Sequence, residues 1–361
     1  MKLGPDSYVP SLRWRMGESQ ALWRLSSTAK DRVVPFIVIP EIEFDFEAWA
    51  PKKNVHEHVH PFPARYNKKW GMREAWVDVH PKIHALKMDD GRLPIAYIFD
   101  ELRVLGSTAI PVTSMDGTPA INAAVNNIVK ADGRGLGIRA RIEHVMKPGC
   151  KASIEALMVG AGVEKDETDL IIDLGAPAYD PYDDFADGLM AAMAALGDLS
   201  KYRSYVVMGC SYPETIGLDK PGGDITRHDW LFYKALVAKM AFEGVRIPNY
   251  GDYTIVNPEF TPRDMRLIKS GGKVVYTEAE SWHIRKGGAF RDNPQQMHGH
   301  CQYLITSGKF RGSGFSDGDA FIEKVAKKTG GPSNQPFWKQ VAINHHIMHV
   351  LEDLSKFGGA A

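Results

Sequence analysis

In this 361-residue sequence, four charged residues that could do chemistry lie inside apolar runs: Asp78, Arg139, Arg141 and Asp173. Asp173 follows Leu170, Ile171 and Ile172 and precedes Leu174. A lone carboxylate in such a run is costly to bury, so it must meet an arginine or a metal. That partner belongs either to a functional site or to an ion pair that only closes the end of a barrel. Asp78, within WVDV, follows the same logic. Arg139 and Arg141 alternate with Ile138, Ala140 and Ile142, so on a strand they share one face. Turned inward, they form an anion site suited to phosphate or carboxylate; turned outward, they are solvated or pair with a helix carboxylate. Glu214 and Asp252 follow apolar runs and complete a set of four acids with Asp78 and Asp173.

Histidines form three short clusters. In HEHVH, His56, His58 and His60 are spaced by two rather than in the HExxH pattern. On a strand they would share a face and could hold zinc, whereas the following PFP points to an exposed loop. His298 and His300, in HGH, are equally open to either role. In NHHIMH, His345 and His349 are four apart, on one face of a helix. Asn344 and His345 there are either site residues or helix-packing groups. Gly-x-Ser-x-Gly is absent, and so are a P-loop ending in GK[ST] and a GxGxxG after any early strand.

These residues need a scaffold. Eight apolar, β-branched runs are visible: 33–40, 74–79, the run from Ala109, the run ending at Ile142, 168–175, 204–210, one within 245–258, and KVVYTEAE from Lys273. Short continuous runs of this kind are characteristic of buried parallel strands. Between them lie helical stretches such as PIAYIFDELRVLG, with Ile95, Ile98, Phe99 and Leu102 on one face. The alternation implies right-handed crossovers, and eight units close a (β/α)8 TIM-barrel-like α/β fold. A doubly wound sheet would normally show fewer strands and often a glycine-rich first turn. The expected organisation is one domain, with an N-terminal segment and barrel over residues 1–286. A C-terminal helical extension over 287–361 then packs on the barrel or caps one mouth. Barrel sites lie at the C-terminal strand ends. Those positions carry Glu41, Glu43, Asp78, His80, Arg139, Arg141, Asp173, Ser211, Glu214, Asp252, Tyr276, Glu278 and, further on, Arg285.

Composition sets the remaining bounds. Acidic and basic residues number 44 each, so no net field favours nucleic acid or an anionic membrane, although a local basic groove is compatible. No apolar stretch is long enough to span a bilayer, and the first residues lack the apolar core of a secretory signal. The three cysteines, Cys150, Cys210 and Cys301, are widely spaced, which points to reduced thiols and a cytoplasmic protein.

Several ordered residues resemble the beta protein family of bacteria, bacteriophages and mobile elements. At the start they are Tyr8, Pro10, Arg13 or Arg15, Gly17, Glu18, Ala21, Leu22, Arg32 and Pro35. Later come Asn249 to Tyr253, then Tyr276, Trp282, Arg285 and Gly287, then Phe315, Ser316, Gly318 and Asp319, and finally Trp338, Asn344, His345 and His346. HEHVHPFPARYNKK departs from the family pattern, so its histidines inherit no role. The resemblance implies a fold and a class of genomes but no settled activity.

Three functions follow. The first is an enzyme on a phosphorylated or otherwise anionic ligand, such as a metal-dependent phosphodiester hydrolase or nuclease. Asp78, Asp173, Glu214 and Asp252, with His345, would be its catalytic set, recruiting a divalent metal such as Mg2+ or Mn2+. Arg139, Arg141, Tyr253, Tyr276, Arg285 and Asn344 would bind the substrate. The second is a glycosidase-like carboxylate pair, with Tyr250, Tyr253, Tyr276 and Trp282 stacking on sugars. The third is a non-catalytic binding or regulatory protein acting in phage–host interaction or defence, its partner a protein or a nucleic acid.

Overall fold

The computed structural model describes residues 3–259 and 270–358. Its centre is a closed barrel of eight parallel strands: Val9–Arg13, Phe36–Ile39, Trp76–Val79, Ile110–Ser114, Leu136–Arg141, Thr168–Gly175, Ser204–Gly209 and Asn249–Asp252. Consecutive strands are neighbours, and the eighth returns to the first with Val9 opposite Gly251 and Pro10 opposite Asp252. Helices connect the strands on the outside, as a (β/α)8 fold requires. The helix Pro119–Asp132 shows how local sequence sets their ends. Thr118 caps its first turn, Gly133 ends it in the left-handed conformation, and Ile121, Val125, Ile128 and Val129 are buried.

Strand membership departs from the sequence expectation at both ends. The first barrel strand is Val9–Arg13, a segment whose Pro10 and Ser11 interrupt its apolar character. The run from Lys273 lies outside the barrel. Gly271–Thr277 pairs antiparallel with Ser281–Ala289, which pairs antiparallel with Gly222–Thr226. The connection from Thr277 to Ser281 is a hairpin, far too short for a parallel crossover. A further correction concerns HEHVH, which is helical over Val55–Val59 because Asn54 and Glu57 form a capping box. His56 stacks on His60, the C-cap residue of that helix, at 5.1 Å, and His58 bonds the Pro40 carbonyl at 2.8 Å.

Inward-facing side chains fill the barrel. Near the strand starts, the Trp76 indole donates to Asp169 at 2.8 Å, and Arg203 donates to both oxygens of Asp169. Gly137 leaves space for that ring, since a Cβ there would lie 3.0 Å from Trp76 and 3.1 Å from Val112.

The C-terminal helices Gln296–Thr306, Asp317–Ala326 and Gln335–Gly358 pack with the antiparallel sheet around a second core that includes Tyr276, Met297, Leu304, Ile322 and Trp338. The last helix is wedged between the two cores. Residues 341–347 are all buried; Ile343, Ile347, Val350 and Leu351 join the barrel core, and Trp338 and Val341 the second core. Such burial on all sides is why this helix shows no simple amphipathic stripe. The three cysteines are free and buried. No helix among the described residues is long and apolar enough to cross a membrane.

Closure by the first strand is testable at Gly251, where an added Cβ would lie 2.9 Å from the Val9 carbonyl and 3.1 Å from Met208. Gly251→Val should therefore lower the unfolding free energy by about 1–3 kcal/mol in urea titrations. Gly188→Ala, in a helix where the new Cβ meets nothing within 4 Å, should raise it by up to about 1 kcal/mol. A neutral Gly251→Val would contradict the pairing.

Candidate functional site at the barrel mouth

Arg139, Asp173, Asp78 and Tyr253 meet at the C-terminal ends of the third, fifth, sixth and eighth strands. Arg139 donates to Asp173 Oδ2 through Nε at 2.8 Å and Nη2 at 2.5 Å. The Tyr253 hydroxyl lies 2.8 Å from both Asp173 oxygens and receives Arg139 Nη2 at 3.1 Å. Asp173 Oδ1 also accepts the Gly175 amide. The Asp173 side chain is 2% exposed, so its charge is offset almost wholly by these partners.

Asp78 sits on the other side of the guanidinium, its Oδ2 3.5 Å from Arg139 Nη1. Burial pushes its carboxyl above the ordinary range, and the Arg139 charge and the Val79 amide only partly offset this. Asp78, Arg139 and Arg141 line a cavity of about 60 Å3 together with His84, Ser114 and Asp116. Arg141 is the most solvent-exposed of the mouth's charged groups that line it from the fifth strand, with Glu143 at 3.7 Å. Beside this cluster, Glu41 lies 3.4 Å from Arg15 and 3.8 Å from His80.

Asp252 faces away from this cavity, into a second polar cluster beneath the last helix. It accepts the Tyr8 hydroxyl, the Tyr250 hydroxyl at 3.1 Å and the Thr254 amide at 2.8 Å, and it contacts His346 Nε2 at 2.9 Å. Burial alone would raise its pKa, but the His346 ring and the Tyr8 hydroxyl outweigh that and hold it below the carboxylate range. His345 is fully buried, stacked on Tyr276 at 3.7 Å. Its Nδ1 meets Asp319 at 2.8 Å and its Nε2 the Thr277 carbonyl at 2.9 Å. Tyr276 donates to Asp319 as well. Asn344 bridges the Ala21 carbonyl and the Gly318 amide, each at 3.0 Å.

Of the residues singled out in the sequence, the structure thus brings together Asp78, Arg139, Arg141, Asp173 and Tyr253. Asp252, Tyr276, Asn344 and His345 belong to the second cluster. Glu214 lines a separate groove beyond the seventh strand, and Arg285 lies over the Tyr303 ring at 3.8 Å. Among the described residues, no group of three or more His, Cys, Asp or Glu side chains is placed to hold a metal ion. Sequence reasoning missed the fully buried Arg227, which donates to Asp353 and the Glu278 carbonyl. It also missed Asp229, bonded to Ser211 at 2.7 Å. Both lie at the start of a helix, where polar residues look like ordinary capping groups.

The model of the family described as Beta protein matches residues 8–352, a span covering the barrel, the antiparallel sheet and most of the last helix. The chain belongs to the Beta protein family. Among curated proteins, none matches its sequence. In this Beta protein family member the matched span contains both clusters whole, since their outermost members are Tyr8 and His346.

His349, one turn beyond His345, supplies a pH test. Its ring nitrogens have no hydrogen-bond partner among the described residues. Burial, followed by the charges of Arg227, His345 and His346, lowers its pKa to about 2. A histidine depressed in the folded state contributes stability above its unfolded pKa of about 6.5, and that contribution is lost as pH falls toward the folded value. Urea titrations between pH 6 and 4 should show His349 contributing about 1.4 kcal/mol of lost stability per pH unit. His349→Phe should remove that share of the slope. An unchanged slope would contradict the buried neutral ring.

Proposed function

We propose that this protein binds a small phosphorylated or otherwise anionic ligand in the barrel mouth and acts on it by acid–base chemistry. The observation that carries this is the cavity of about 60 Å3 in which Arg139, Arg141 and Asp78 converge. By the volume one water needs, it has room for roughly four waters, and hence for the oxygens of one tetrahedral oxyanion. Arg139 is neutralised by Asp173 and Asp78, so it orients the anion without a large excess of charge. Arg141, whose only ion pair among the described residues is a long, solvent-exposed one with Glu143, supplies the further positive charge. Asp173 accepts bonds on both oxygens, which makes it a positioning residue. Burial raises the Asp78 pKa and it has fewer partners than Asp173, which suits a carboxylate that takes up and gives back a proton.

The reaction class this favours is phosphoester hydrolysis. Water attacks phosphorus as Asp78 takes its proton, the P–O ester bond breaks, and the leaving oxygen is protonated from solvent. A carboxylate pair for glycoside cleavage has less support, because Asp173 is committed to Arg139 and Tyr253.

Calorimetric titration with inorganic phosphate tests the binding, and release of nitrophenol from bis(p-nitrophenyl) phosphate tests the chemistry. Arg141→Met should weaken phosphate binding at least about tenfold with no change in melting temperature. Asp78→Asn should retain binding and lose turnover. If Arg141→Met binds phosphate as the parent does, the mouth is not an anion site. If Asp78→Asn turns over as the parent does, Asp78 is not the proton carrier.

A further inference from the structure

Across the mouth from Arg141 lies a larger groove, of about 520 Å3. Its walls come from the loops after the seventh and eighth barrel strands, from the antiparallel sheet and from the last helix. Tyr212, Phe290 and Trp338 provide aromatic surface, and Lys273, Lys286 and Lys339 provide charge. A volume in this range, with mostly apolar walls and a few convergent polar groups, is typical of small-molecule sites.

The lysines are arranged at an energetic cost. Lys273 and Lys286 are direct partners across the antiparallel pair. Like charges in that position destabilise a sheet. Lys339 approaches from the last helix and is compensated by Glu18 at 3.6 Å. Lys286 donates to the Leu218 carbonyl, a neutral acceptor. Among the described residues, neither Lys273 nor Lys286 has a carboxylate partner. Lys273 is exposed, and its neighbours, with the charges of Lys339 and Lys286 on the same groove, lower its pKa. Two uncompensated ammonium groups facing one cavity match two negative charges on one ligand.

We propose that this groove is a second ligand site, separate from the Arg139 cavity, for a phosphate monoester with an aromatic or apolar body. The dianionic head lies between Lys273 and Lys286, and the body lies against Tyr212, Phe290 and Trp338. Lys339, already paired with Glu18, adds field without a direct bond. Two lysines on one rigid strand pair suit this role, because each ammonium is a compact charge that meets phosphate without the planar match arginine requires.

The test is calorimetric titration of phenyl phosphate into the Arg141→Met protein, so that the barrel-mouth cavity does not contribute. Phenol and inorganic phosphate serve as comparison probes. Saturable binding of phenyl phosphate, tighter than that of either fragment, is expected. Adding Lys273→Met or Lys286→Met should weaken it at least about tenfold. Absence of saturable binding overturns the proposal, as does an affinity in either lysine variant equal to that of the Arg141→Met protein. Should either variant fail to fold, the parent protein with 13C-methylated lysines gives an independent answer by NMR. The Lys273 signal should titrate at lower pH than the bulk lysine signals and move to higher pH when phenyl phosphate is added. A Lys273 titration unaffected by phenyl phosphate overturns the proposal.

Discussion

The ion pair between Arg139 and Asp173 is the constraint around which the mouth is organised. A guanidinium at the centre of a barrel must be compensated, because an unpaired buried charge costs about 3–5 kcal/mol. The register places Arg141, not Arg139, directly opposite Asp173. Arg139 therefore slants toward the strand ends to meet the carboxylate. In that posture Nη1 reaches Asp78 on the third strand, and Nη2, already bonded to Asp173, also reaches Tyr253 after the eighth. One side chain thus ties together strands far apart in sequence, and its orientation leaves Arg141 facing the cavity.

The last helix supports this arrangement from behind. Its apolar residues divide between the barrel core and the second core, and its polar residues join the same two bodies. His346 bonds Asp252 of the eighth strand and Thr277 of the antiparallel sheet. His345 and Asn344 bond Asp319 and Gly318 at the start of the preceding helix. Asp252 precedes Tyr253, which holds Asp173. The helix therefore reaches the mouth through two consecutive residues of one strand end, without contributing a side chain to the cavity. The partnered groups Asn344, His345 and His346 fix one arrangement of these elements, whereas the buried His349 ring one turn on lacks hydrogen-bond partners and is costly to charge.

Much of the barrel was legible because buried parallel strands are short, continuous and apolar, and six of the eight lie in such runs; Asn249–Asp252, reading NYGD, was bracketed only by the longer stretch 245–258. Val9–Arg13 was obscured by Pro10 and Ser11, while the run from Lys273 has strand character with no trace of its antiparallel partner. Asp173, Asp78 and Arg139 were legible as charges that must find partners for one physical reason: charge inside an apolar strand demands compensation. Asp252 was singled out for its place at a strand end, and the structure turns it away from the cavity, to His346. Lys273 and Lys286 were not legible at all. Each is an ordinary surface residue in sequence, and only the hairpin register sets them opposite one another.

The central claim, that Arg139 and Arg141 receive a tetrahedral oxyanion, is tested most directly by anomalous diffraction from crystals soaked in tungstate. The account predicts a tungsten peak in the cavity bounded by Asp78, Ser114 and Arg141, within hydrogen-bond reach of the Arg139 and Arg141 guanidinium groups and absent from Arg141→Met crystals. Tungsten bound only elsewhere, with this cavity holding water alone, would contradict it.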